Sequence, residues 1–199
     1  MDLALVLSNV ILGIIVLFNL ILTLALVRRV NSIQDGANAE RINELDLFET
    51  SLPVGTTAPP FEAESVGGAS VSLSDFAGRE LALVFMSPGC GPCVSELPNW
   101  EELSHKAASS RTALVMVSIA SREETEELVR EFKLTLPTLI APRGVNPLAD
   151  DYKVLRTPSY YLINEEGRIS HVGIPNTKWD RWKSLAKLWM GEAPSPSRP

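Results

Sequence analysis

Residues 81–86, Leu-Ala-Leu-Val-Phe-Met, form an unbroken apolar run of strand length, and the dithiol motif Cys90-Gly91-Pro92-Cys93 begins four positions beyond it. A short run with no polar face must be covered on both sides, which is the condition of a central strand in a helix-flanked sheet. Ser87, Pro88 and Gly89 interrupt the run, so a helix starting at the cysteines would hold both sulfurs at the carboxyl end of that strand. Open α/β sheets place their sites there. These are the only two cysteines in 199 residues. A helix N-terminus stabilises a thiolate, and so compact a pair can close and open a disulfide, which favours thiol–disulfide exchange. Two other uses of the pair are weighed against it. A structural disulfide closing so short a loop adds little stability. A zinc site needs two further ligands, and the two histidines, His105 and His171, lack metal-ligand spacing.

The pattern around the motif predicts a mixed α/β order. Residues 61–65 and 70–73, separated by Val66-Gly67-Gly68-Ala69, read as a hairpin with a glycine turn. From Val94 to about residue 108, Leu97, Trp100 and Leu103 recur at helical spacing, with Pro98 inside the helix. Residues 112–119 form the next buried strand, and residues 123–132 a helix with Leu128, Val129 and Phe132 turned inward. Residues 136–140 suggest a short strand. Residues 159–163 and 168–172 bracket Asn164-Glu165-Glu166-Gly167, a turn whose glycine needs positive φ. A final helix over residues 178–190 carries Trp179, Trp182 and Trp189, which are expected to pack on the sheet. Strands alternating with helices, closed by a hairpin, indicate a mixed central sheet flanked by helices.

The N-terminus tells where such a domain would work. Residues 3–27 contain no charge and no polar face. As a helix they would extend roughly 37 Å, beyond the ~30 Å hydrocarbon core of a bilayer. Arg28 and Arg29 follow the run and no basic residue precedes it, contrary to the order of a cleavable signal peptide. The division expected is therefore a transmembrane anchor over residues 1–27, a polar linker over 28–52, one redox domain over 53–190 and a Pro/Ser-rich disordered tail over 191–199. The arginines after the span, taken alone, would hold the domain on the cytosolic side. The net charge of −6, with no basic stripe, argues against a nucleic-acid partner.

Several pieces in order resemble the membrane-anchored, thioredoxin-like thiol–disulfide oxidoreductases of the TlpA/ResA type. They are Val54-Gly55-Thr56-Thr57-Ala58-Pro59-Pro60-Phe61, the strand into Cys90-Gly91-Pro92-Cys93, Glu96-Leu97-Pro98, Thr157-Pro158, and residues 162–169. Residues 85–90 also look like the anchored accessory redoxins of methylamine utilisation. One departure stands out: Gly89 occupies the position where the family usually has tryptophan. The resemblance implies a thioredoxin-like fold preceded by one transmembrane helix, with the redox domain extracytoplasmic at the cell membrane. It implies Cys90 as attacking thiol, Cys93 as resolving thiol and Glu96 as the acid that takes or gives the resolving thiol's proton. Gly91 and Pro92 would keep the active-site turn compact and open to a peptide. Pro158 would be cis and face the dithiol, and Thr157 would present its backbone to an extended substrate segment.

The function expected is disulfide reduction in cysteine-containing client proteins, with a membrane electron donor and with no metal or cofactor. A non-catalytic thioredoxin-fold binding or maturation module is the alternative. A peroxiredoxin-like peroxidase is a weaker one, because residues 85–90 lack the Pro-x-x-x-Thr/Ser-x-x-Cys pocket. His105 and His171 are expected on or near the surface, outside the chemistry.

Overall fold

The computed structural model describes residues 51–107 and 111–176, together with Leu12, Gly13, Val16, Trp182 and Lys187. The chain divides into two compact units, Met1–Leu45 and Asp46–Pro199. In the first, the described positions Leu12, Gly13 and Val16 are helical. The expected span at residues 1–27 otherwise lies outside the described residues. So do residues 28–50 of the linker, most of the closing helix with Trp179 and Trp189, and the tail. Among the described residues no helix is long and apolar enough to cross a membrane.

The second unit is built on seven strands. In chain order they are β1 (Glu62–Ser65), β2 (Ser70–Ser72), β3 (Glu80–Met86), β4 (Thr112–Ser118), β5 (Thr138–Ile140), β6 (Ser159–Ile163) and β7 (Ile169–Gly173). Helix α1 (Gly91–Ala107) follows β3, α2 (Arg122–Phe132) follows β4, and a single turn, α3 (Leu148–Asp151), precedes β6. Across the sheet the order is β2-β1-β5-β4-β3-β6-β7. The strands β3, β4 and β5 are parallel, whereas β1 on one flank and β6 on the other run antiparallel to their neighbours. This is the mixed, helix-flanked sheet expected from the sequence.

Strand β3 lies between β4 and β6, and its six apolar residues are all fully buried. Period-two geometry divides them between two cores. Leu81, Leu83 and Phe85 join Val115, Val117, Tyr152 and Tyr161 on one face. Ala82, Val84 and Met86 join Cys93, Leu97, Trp100, Leu128 and Trp182 on the other. The first core is knit by edge-on rings: the Tyr161 ring centroid is 5.2 Å from Tyr152 and 6.0 Å from Phe85. The Tyr161 hydroxyl donates to the Tyr152 carbonyl.

The turns follow from local chemistry. Gly68, at φ +86°, closes the β1–β2 hairpin. Gly167, at φ +74°, completes the β6–β7 turn, in which the Asn164 side-chain oxygen accepts from the backbone of Glu166 and Arg168. Helix α2 starts in a capping box: Ser121 Oγ accepts from Glu124 N–H, and the Glu124 carboxylate accepts from Ser121 N–H.

Two contacts lock α1 in place. Trp100, fully buried, donates from Nε1 to the Pro175 carbonyl at 2.9 Å. Glu101 accepts from Thr135 N–H at 2.9 Å, Leu136 N–H at 3.1 Å and the Thr135 hydroxyl. Burial alone would raise the Glu101 carboxyl. The donors from Thr135 and Leu136, with His105 beside it, together outweigh that and hold it below the ordinary value.

The reading of Phe132 is corrected. Expected inward, it is 37% exposed and belongs to neither core, although Leu128 on the same helix is buried. Phe132 is the last residue of α2, next to the left-handed C-cap Lys133, and the core beyond the cap is filled by Leu134 and Leu136 instead.

Replacing Trp100 by alanine is expected to destabilise the domain by about 3–5 kcal/mol, the cost of an unfilled aromatic site, as read by denaturant unfolding. Because the folded-state value of Glu101 is depressed, its stabilising contribution is fully present above its ordinary value of 4.5 and is lost as pH falls through the folded value. The stability advantage of the wild type over Glu101→Gln should therefore shrink on acidification below about pH 4.5, in paired unfolding curves across that range.

Candidate active site

The register of the sheet assembles the site. Phe85 in β3 pairs with Ser159, the first residue of β6, so the segment entering β6, Thr157-Pro158, arrives at the same end of the sheet from which β3 leaves toward the cysteines. The Thr157–Pro158 peptide bond is cis.

Beyond Met86 the chain makes one tight turn, in which Cys90 N–H donates to the Ser87 carbonyl at 2.9 Å. Helix α1 then begins at Gly91. The Cys90 carbonyl accepts from Val94 N–H at 3.1 Å, the first helical bond. Cys90 is thus the N-cap residue, and its Sγ accepts from Cys93 N–H at 3.2 Å, the place usually taken by a serine or aspartate oxygen. Pro92 falls in the first turn, where a missing N–H leaves no intrahelical bond unmade. The sulfur therefore sits on unsatisfied amides at the positive end of a helix of 17 residues, an environment that favours negative charge on it.

Cys90 and Cys93 are joined as a disulfide. Their surroundings differ: Cys90 is half-buried, while Cys93 is fully buried in the core beneath α1. Gly91 and Pro92, between them, are exposed. A Cβ built on Gly91 would meet nothing within 4 Å, so the space above the turn is open. On the other side, Cys90 Sγ lies 3.4 Å from the Thr157 carbonyl oxygen. In the disulfide this is a contact without a hydrogen, and in the dithiol the same spacing suits an S–H donor.

Glu96 is one helical turn beyond Cys93 and only 8% exposed. Asn99 Nδ2 donates to Glu96 Oε2 at 2.9 Å, a tether that sequence reading overlooked; its signal was the three-residue spacing on α1. Structure thus brings Cys90, Cys93 and Thr157 into contact, with Glu96 on the same helix turned into the protein. His105 is exposed and bonded to Glu101, and His171 is partly buried in β7. Among the described residues no group of three or more His, Cys, Asp or Glu is placed to hold a metal ion.

Comparison with known proteins agrees with this geometry. Residues 54–172 match the family model described as AhpC/TSA family. The thioredoxin-like protein YneN of Bacillus subtilis is 35% identical over 136 residues, covering 65% of this chain and 78% of that protein. The sporulation thiol-disulfide oxidoreductase A of the same organism is 28% identical, covering 57% and 70% respectively. Among solved structures, StoA from Bacillus subtilis superposes with a TM-score of 0.56 at 26% identity, covering 66% of this chain and 96% of that one. The thioredoxin domain of a thiol-disulfide oxidoreductase from Bacteroides vulgatus gives 0.61 at 24% identity, covering 69% and 99%, a likeness of fold.

Unequal burial of the two sulfurs has a direct consequence. When the reduced protein is treated with limiting iodoacetamide, peptide mapping should find the label on Cys90, with Cys93 labelled only after denaturation. Equal labelling of the native protein would contradict this placement.

Proposed function

The chain belongs to the AhpC/TSA family, as a thiol–disulfide oxidoreductase of thioredoxin-like fold, and we propose that it reduces disulfides in cysteine-containing client proteins while tethered to the cell membrane. In this reading residues 1–27 anchor the chain in a single pass. The redox domain works on the extracytoplasmic side, and a membrane electron donor returns it to the dithiol state. The observation that supports the chemistry best is the helix-capping position of Cys90, half-exposed beside Thr157 and bonded to a buried partner sulfur.

The exchange runs in two displacements. The Cys90 thiolate attacks one sulfur of the client disulfide, so that bond breaks, a mixed disulfide forms and one client thiolate leaves. Cys93 gives its proton to the Glu96 carboxylate and attacks Cys90 Sγ. The second client thiolate departs, and the Cys90–Cys93 disulfide closes. Two electrons pass from the dithiol to the client. Thr157 offers its backbone to an extended client segment, Pro158 shapes that edge, and Gly91 and Pro92 leave room for its approach.

Equilibrating the full-length chain with defined dithiothreitol and glutathione buffers measures the reduction potential of the pair. A value near that of thioredoxin, about −270 mV, is the expected result. A value near about −120 mV would mark an oxidant and reverse the direction. Cys90→Ser/Cys93→Ser should abolish disulfide reduction. Retention of cellular function by that variant would favour a binding module, and rapid peroxide consumption by the wild type would favour a peroxidase.

A further inference from the structure

Beside the dithiol lies a groove of about 270 Å³ between the start of α1 and the outer face of α2. Pro88, Val94, Leu128 and Phe132 provide its apolar surface, and Glu124, Glu127 and Glu131 its polar one. Pro88 stands two residues before Cys90, and Val94 directly follows Cys93, so a protein segment engaging Cys90 is within reach of this groove. The α2 residues fall three, four, seven and eight positions beyond Glu124, which is the spacing of a single helical stripe.

Three observations give the groove a chemical preference. Among the described residues no Lys or Arg lines it. On the same helix Glu126 pairs with Arg122 at 2.9 Å, whereas Glu127 and Glu131 make no ion pair among the described residues. Phe132 leaves an aromatic ring 37% exposed at the same place, outside both cores.

We propose that this groove selects clients, receiving a segment with an apolar side chain flanked by lysine or arginine next to the cysteine to be reduced. Rim carboxylates attract the basic residues, which raises the rate of productive encounter, and the apolar floor takes the neighbouring side chain. The proposal rests on the client-reduction reading above and adds a substrate class to it.

The test uses the full-length chain, reduced beforehand, and three cysteine peptides activated as thiopyridyl mixed disulfides. They share a leucine beside the cysteine and carry flanking lysines, neutral serines or glutamates. Attack by Cys90 breaks the activated S–S bond, releases thiopyridone and forms the peptide mixed disulfide. Cys93 then resolves it, giving the oxidised pair and free peptide thiol. At low salt the lysine peptide should react about tenfold faster than the glutamate peptide, within the range of electrostatic steering. That ratio should fall toward one in about 1 M salt, where the screening length is ~3 Å.

Glu127→Gln/Glu131→Gln should bring the low-salt ratio close to one, and Glu127→Lys/Glu131→Lys should invert it. A fourth peptide, the lysine peptide with alanine in place of the leucine, should react more slowly than its parent with the wild type, and in Phe132→Ala that preference for leucine should disappear. Equal rates for all three peptides in the wild type, or an unchanged ratio in the charge variants, would overturn the groove's role. The neutral bis(2-hydroxyethyl) disulfide separates the two levels of the argument. If the wild type reduces it but treats the peptides alike, only the groove fails; if it cannot reduce it, the oxidoreductase reading fails first.

Discussion

Everything at the site depends on the burial of β3 from both sides. Six apolar residues, alternating between two cores, leave this strand one register and one direction, because a slip by a single residue would exchange its two faces. Its carboxyl end is therefore a fixed point. Two chain segments meet there for separate reasons: α1 begins immediately after β3, and the Thr157-Pro158 segment is delivered by the antiparallel pairing of β6. The sulfur of Cys90 lies where these two paths converge.

Electrostatics then makes the two cysteines unequal without any charged side chain touching them in the contacts described. Cys90 caps the helix and receives an amide hydrogen, whereas Cys93, one turn deeper, belongs to the hydrophobic core. Exposure and helix-end stabilisation fall on one sulfur and burial on the other. That division suits attack followed by resolution. The helix that creates it is held by Trp100 against Pro175 and by Glu101 against Thr135 and Leu136, so the reactive end is braced by contacts farther along its length.

Much of this was legible in the residues. Strand β3, the C-x-x-C turn and both hairpins carry short-range signals: apolar runs, turn glycines and an interruption at Ser87-Pro88-Gly89. Less legible were features that depend on packing between distant segments. Phe132 fits the apolar stripe of α2 but projects beyond the core. The turn α3 is four residues long, too short to show a periodic pattern. Asn99 carried no signal beyond its spacing from Glu96.

By itself the sequence determined the local identities: which runs form strands, where a helix can start on a dithiol, and that two sulfurs would share one short loop. Those follow from side-chain periodicity and backbone preference over a few residues. Only the tertiary structure decided that β5 stands between β1 and β4, that Thr157 reaches Cys90 from 67 residues away, and that acidic residues of α2 border the groove beside the dithiol. Such placements come from strand pairing and from the shared burial of faces that are remote in the chain, and no local pattern encodes which remote face will be the partner.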